Sequence, residues 1–147
     1  MINLYEKIKL LKRATIFREV ATDDLRFVAA TMNEEVYFEG DTIFNIHDNG
    51  NCMYVITSGQ VGISLNPDKN DYISVLETGD SFGEMNLLDG LPRSASAVAL
   101  KDAQLLSLTK SNLRGLILSY PEISLGILQT LSLRLRDTNK KTGLTLE

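Results

Sequence analysis

The residues best suited to chemistry in this 147-residue chain lie between Gly79 and Ser96, in GDSFGEMNLLDGLPRSAS. Gly83 allows the backbone to approach a bound group closely. Ser81-Phe82-Gly83-Glu84 is predicted to open a short helix with Met85, Leu87 and Leu88 as its apolar residues. Free N–H groups at a helix start, with the dipole behind them, favour an anion. Arg93 comes nine residues after Glu84, across the Asp89-Gly90 turn and Pro92, so it can swing back over the same point. Its planar fork of donors matches a phosphate. Ser94, Ala95 and Ser96 are small, so backbone and hydroxyl groups there also reach an anion. Each charge-assisted bond contributes about 1.5–3 kcal/mol.

Plainer readings exist for each residue alone. Ser81 and Glu84 have the spacing of a capping box, with Ser81 at the N-cap and Glu84 reaching back to its N–H. Arg93 alone reads as a surface ion pair worth about 0–1 kcal/mol. The combination favours the anion site. A carboxylate beside it repels a phosphate unless the ligand also carries a hydroxyl. Glu84 then accepts from that hydroxyl while Arg93 holds the charge, and a ribose phosphate offers both groups. The ligand expected is a nucleotide.

The rest of the chain must position these groups. Leu4, Ile8 and Leu11 have helical spacing within residues 3–12. Thr22 is expected to cap a second helix, with Asp23 and Asp24 in its first turn and Leu25, Val28, Ala29 and Met32 on one face. From Glu35 the period changes. VYF, TIFNI, CMYVI, QVGISL and YISVLE alternate with turn residues, and Ser94–Leu100 and Ala103–Leu108 follow the cassette. About eight short strands in a sandwich or barrel are expected. Val61, Ile63 and Leu65 alternate with Gly62 and Ser64, which predicts one buried face. Thr109 is expected to cap a helix with Leu113, Leu116, Ile117 and Tyr120 on one face. Pro121 is expected to be the first residue of the last helix, which runs through Ile123, Ile127, Leu131 and Leu135 and frays near Gly143.

Composition narrows the function classes. Apolar residues make up 44% of the chain and the net charge is −4 without a single-sign block, so this piece is not expected to contact nucleic acid. Arg134, Arg136, Lys140 and Lys141 complement the dipole at a helix end. The lone Cys52, in CMYVI, cannot form an intramolecular disulfide and reads as a small buried hydrophobe. One His and one Cys argue against a metal site, a haem or iron–sulfur sensor, and a His-rich enzyme barrel. His47 reads as a turn residue. No apolar run has the length to span a bilayer, no signal peptide is seen, and a cytoplasmic setting is expected. The ending Leu146-Glu147 has the character of a vector-derived tail.

FGEMNLLDGLPRSASAVAL resembles the phosphate-binding cassette of the cyclic nucleotide-binding domain family, and EGDTIF, MYVITSGQV and LETGDSFGE agree. The resemblance covers nearly the whole chain. It implies a mainly β fold: an eight-stranded, jelly-roll-like β-roll with N-terminal helices, a short phosphate-binding helix and two C-terminal helices. As one domain over 1–147, it would place N-terminal helices at 1–33, the β-roll at 34–109 with the cassette at 79–96, C-terminal helices at 110–142 and a tail at 143–147.

The same resemblance implies a non-enzymatic regulatory module that binds cAMP or cGMP and needs no other cofactor. Glu84 would accept from the ribose 2′-hydroxyl, Arg93 would pair with the phosphate, and Gly83, Ser94 and Ala95 would add phosphate contacts. Thr138 and Asn139 fall where bacterial cAMP-responsive regulators place two polar residues on the purine. Leu135, Thr138 and Asn139 share one helix face. Ser94 after the arginine leans to cAMP over cGMP. Asn86 stands where many members have alanine, and it need not contact ligand. Binding would draw the C-terminal helix over the base. The partners left open are a second copy, paired through that helix, and an effector domain outside this chain. The alternative is a degenerate, non-binding relative that serves as an interaction or dimerisation module.

Overall fold

The computed structural model describes residues 2–143; the predicted tail beyond Gly143 lies outside them. Helix α1 (Leu4–Arg13) leads through a 3-10 turn at Thr15–Phe17 to α2 (Thr22–Thr31). Eight strands follow: β1 (Asn33–Tyr37), β2 (Thr42–Phe44), β3 (Cys52–Ser58), β4 (Gln60–Ser64), β5 (Ser74–Glu77), β6 (Ser81–Phe82), β7 (Ser96–Ala99) and β8 (Ala103–Thr109). Helix α3 (Glu84–Asp89) separates β6 from β7, and α4 (Lys110–Ser119) and α5 (Glu122–Lys141) close the chain. The strands form two four-stranded antiparallel sheets, ordered β1-β8-β3-β6 and β2-β7-β4-β5. This is the β-roll with flanking helices that the resemblance implies.

The two-residue period of a strand explains why CMYVI and the β8 sequence are apolar throughout. Met53 and Val55 of β3, with Leu106 and Leu108 of β8, face a core shared with Leu11, Phe17, Leu25, Val28, Leu113 and Ile123 of the helical layer. The alternate residues Tyr54, Ile56, Ala103 and Leu105 face the interior of the roll with Val61 and Phe82. The β3–β8 part of this sheet therefore separates two cores.

Some local expectations hold and others do not. Thr109 caps α4, its side chain accepting from Asn112 N at 3.1 Å. Thr22 does not cap α2: Ala21 takes that position without a side-chain bond, its carbonyl accepting from Asp24 and Leu25. Pro121 sits one residue before α5, already in helical conformation. Ser81 and Phe82 do not open a helix. They pair with Val55 and Tyr54 of β3, and α3 begins at Glu84. The alternation in β4 ends early. Ser64 is fully buried, donating to Asp71 O and accepting from Asn66 N at 2.9 Å, so the chain turns there and leaves Leu65 exposed.

In α5, Ile123 and Ile127 are buried with Gly126 and Thr130, but Leu135 is 55% exposed. Steps of four residues advance about 40° around a helix each time, so a run of them leaves the face on which it starts. The exposed Leu125, Leu128 and Leu135 form a second stripe. Helices α4 and α5 meet at 115°, beside Tyr120, whose ring stacks on Phe27 of α2 with centroids 4.0 Å apart. Among the described residues no single helix is long and apolar enough to cross a membrane.

Candidate functional site

The Gly79–Ser96 segment includes one of the crossings between the two sheets. It leaves the first sheet at β6, passes through α3 and enters the second at β7. Gly83 takes the left-handed conformation (φ 79°) at the start of α3. An added Cβ there would lie 2.6 Å from Arg93 Nη1 and 3.0 Å from Cys52 O. The glycine is thus required twice, by its own dihedral and by the guanidinium packed on it.

Arg93 is not a surface ion pair. It is 3% exposed, and no carboxylate lies within ion-pair distance among the described residues. Its backbone is held against the β2–β3 loop: Arg93 N donates to Asp48 O at 2.7 Å, and Arg93 O accepts from His47 N at 2.9 Å. His47 is therefore a turn residue, with φ 74°. The guanidinium lies 4.1 Å from the centre of the Phe44 ring, in cation–π geometry. Nη1 donates to Asn86 Oδ1 at 3.1 Å and Nη2 to Cys52 O at 2.8 Å, with Cys52 Sγ at 3.8 Å. Nε is buried and has no partner. The guanidinium is thus a cation taken out of water and met only by neutral acceptors, with Nε left unpartnered.

Glu84 points elsewhere. Its carboxylate accepts from Ser81 Oγ, so the reciprocal bond of a capping box is absent. It also lines a polar cleft of about 300 Å³ with Arg13, Arg18, Asp80 and Ser81. No hydrogen bond or ion pair joins Glu84 to Arg93. The fold thus brings Gly83 and Arg93 into contact and leaves Glu84 beside them, held by the strand residue Ser81. Ser94 is exposed and Ala95 half-buried at the start of the run into β7; Ser96 is buried, its hydroxyl accepting from Ile46 N at 2.8 Å.

Thr138 and Asn139 sit near the end of α5. Thr138 is exposed, and its carbonyl accepts from Thr142; Asn139 is buried, with no partner for its amide nitrogen. No hydrogen bond connects either to the cassette. Where α5 is packed, it lies against the Thr15–Phe17 turn and α4, with Glu19 N donating to Thr130 Oγ1 at 3.2 Å.

Sequence reasoning missed the parts played by four residues beside Arg93 and Glu84. Phe44 reads as one more strand apolar residue. Cys52 is half-buried beside the guanidinium rather than buried in a core. Ser81 reads as a cap. Asn86 had a visible signal: an amide two residues into a short apolar helix, where its propensity is poor. The aromatic wall continues through Tyr54 and Phe82, with ring centroids 5.1 Å apart. Burial pushes the Tyr54 hydroxyl well above its ordinary value. It does the same for Tyr37, which donates to Glu35 at 2.6 Å.

The sequence model described as the cyclic nucleotide-binding domain matches residues 34–120. A CRP-like cAMP-activated global transcriptional regulator of Mycobacterium tuberculosis is 32% identical over 133 residues, covering 89% of this chain and 59% of the relative. The cyclic AMP receptor protein of Thermus thermophilus is 30% identical over 136 residues, covering 91% of this chain and 63% of the relative. This chain therefore spans about three-fifths of the length of these relatives. The crystal structure of the N-terminal domain of a transcriptional regulator from Streptomyces coelicolor A3(2) superposes with a TM-score of 0.82 at 29% identity, covering 94% of this chain and 99% of the other.

Proposed function

The chain belongs to the cyclic nucleotide-binding domain family, and from that membership we propose that it is a regulatory, non-enzymatic module that takes a cyclic nucleotide, cAMP before cGMP, into the β-roll. The observation that carries this reading is Arg93, a buried guanidinium without a carboxylate and with Nε unpartnered. The cyclic phosphate pairs with it over Gly83, and the backbone at Ser94 and Ala95 closes the anion's other side. Glu84, a short distance along α3, accepts from the ribose 2′-hydroxyl by exchanging Ser81 for the sugar. The similarity to a cAMP-activated regulator and to a cyclic AMP receptor protein supports the preference for cAMP.

Signalling falls to the C-terminal helices. Closure brings Thr138 and Asn139 from the end of α5 onto the base, with the 115° bend between α4 and α5 as the joint that gives. Ligand shifts this equilibrium only by its differential affinity for the closed state. The exposed stripe of Leu125, Leu128 and Leu135 pairs with a second copy of the chain. This piece contacts no nucleic acid, and any effector domain lies outside it.

Calorimetric titration of ligand-stripped protein with cAMP and with cGMP tests the proposal. Micromolar or tighter binding of cAMP is expected, with cGMP weaker and binding abolished in Arg93→Met. No heat with either nucleotide refutes the reading.

A further inference from the structure

The Asn86 side chain makes three polar contacts, as many as Arg93 itself. Nδ2 donates to Leu91 O at 2.8 Å and to Pro92 O at 3.2 Å. Oδ1 accepts from Arg93 Nη1 at 3.1 Å. One amide therefore fastens α3 to the two carbonyls that precede Arg93 and to the guanidinium itself. The fold makes room for it deliberately: Gly50 is buried against it, and a Cβ there would lie 2.5 Å from Asn86 Cβ.

We infer that Asn86 is a positioning residue, which fixes the Arg93 guanidinium on α3 so that Nε is the donor offered to an incoming phosphate oxygen. The inference rests on the nucleotide-binding reading above. Among the described residues, no other hydrogen bond fastens the guanidinium to α3. Cys52 O restrains Nη2 alone. Phe44 restrains the plane but not rotation within it. Glu84 makes no bond to Arg93 at all. The bonds to Asn86 and Cys52, at opposite nitrogens, together fix the guanidinium, and only the Asn86 bond fastens it to α3. It also ties the anion-binding group to the helix that carries Glu84, so the phosphate and ribose ends of a ligand meet one rigid unit. Ala or Ser at this position would leave Nη1 free and the 91–92 carbonyls to water.

Side-chain ¹⁵N NMR of Arg93, together with cAMP titration, tests this. Wild type is expected to show two resolved Nη resonances, the sign of a guanidinium that does not rotate. Asn86→Ala should merge them and weaken cAMP binding about tenfold, the lower end of what one bond to a charged group is worth. Asn86→Asp keeps the accepting oxygen and should keep the resonances resolved. Gly50→Ala leaves the amide in place chemically but displaces it, and should merge them. Resonances unchanged in Asn86→Ala overturn the inference, and so does a freed guanidinium with unaltered affinity. If wild type binds neither cAMP nor cGMP, the nucleotide reading falls and takes the positioning role with it. The NMR result separates that failure from a failure of the Asn86 tether.

Discussion

Replacing Arg93 by Met should remove ligand binding while leaving the empty protein about as stable as wild type. The guanidinium makes two bonds to neutral acceptors, worth about 3–6 kcal/mol in all for a charged donor, and one cation–π contact worth about 2 kcal/mol. Against these stands the removal of a full charge from water at 3% exposure, which costs several kcal/mol and has no carboxylate to offset it. The two sides nearly cancel. Methionine fills similar volume, packs its sulfur on the Phe44 ring and needs no hydration. The net change is expected to stay within about 2 kcal/mol, with stabilisation the more common sign when buried ions give way to apolar residues. For 147 residues, 1 kcal/mol corresponds to about 3 °C in Tm. Scanning calorimetry with and without cAMP separates the two effects. At a hundredfold excess over Kd, ligand contributes about 2.7 kcal/mol to wild type, a rise of about 8 °C. Arg93→Met should melt within about 6 °C of wild type when empty and show no rise with ligand. A fall of more than about 10 °C in the empty variant would mean that Arg93 holds the fold together rather than waiting for an anion.

Other perturbations follow from the same geometry. Gly83→Ala forces a left-handed alanine, costing about 1–2 kcal/mol, and pushes Nη1 aside. Tm should fall by about 3–6 °C and cAMP affinity should drop with it; wild-type affinity in a folded variant would contradict the packing of Gly83 on Arg93. Tyr37 and Tyr54 both have hydroxyl pKa values raised by burial. Their contribution to stability is complete below the ordinary value of about 10 and is lost as pH climbs past it toward the raised native values. Circular dichroism should show alkaline unfolding that Tyr54→Phe shifts to higher pH; an unshifted midpoint argues against a buried phenol. Leu128→Glu places a charge in the exposed leucine stripe of α5. Sedimentation should find wild type dimeric and the variant monomeric at micromolar concentration, and a monomeric wild type would dismiss the self-pairing.

Much of this architecture is legible in the sequence because its signals are local. The change of period at Glu35 marks the end of the helices, and Thr109 caps α4 through a bond three residues long. The misreadings share a cause: partners distant in sequence. Ser81 and Phe82 are a strand only because β3 lies beside them, and a pair of residues carries no period of its own. Leu65 alternates correctly but falls past a turn fixed by the buried Ser64 hydroxyl. The types of Glu84 and Arg93 announce an anion and a sugar, yet neither reveals that the first is held by Ser81 and the second by Asn86 and Cys52. Asn86 resembles a mere departure in sequence. Its role depends on the space left by Gly50, 36 positions away, and on the direction of one amide.

The crossing of the cassette from one sheet to the other also determines when in folding the site can exist. Glu84 hangs from an edge strand held only by β3, while Arg93 feeds directly into β7, between β2 and β4. Half a roll, with either sheet formed alone, has one of these residues and not the other. The site therefore requires both sheets, and a chain with one sheet formed lacks it. A ligand that needs both residues would bind the folded state alone and stabilise it by mass action, as a lock on a finished structure and not as a template for building it.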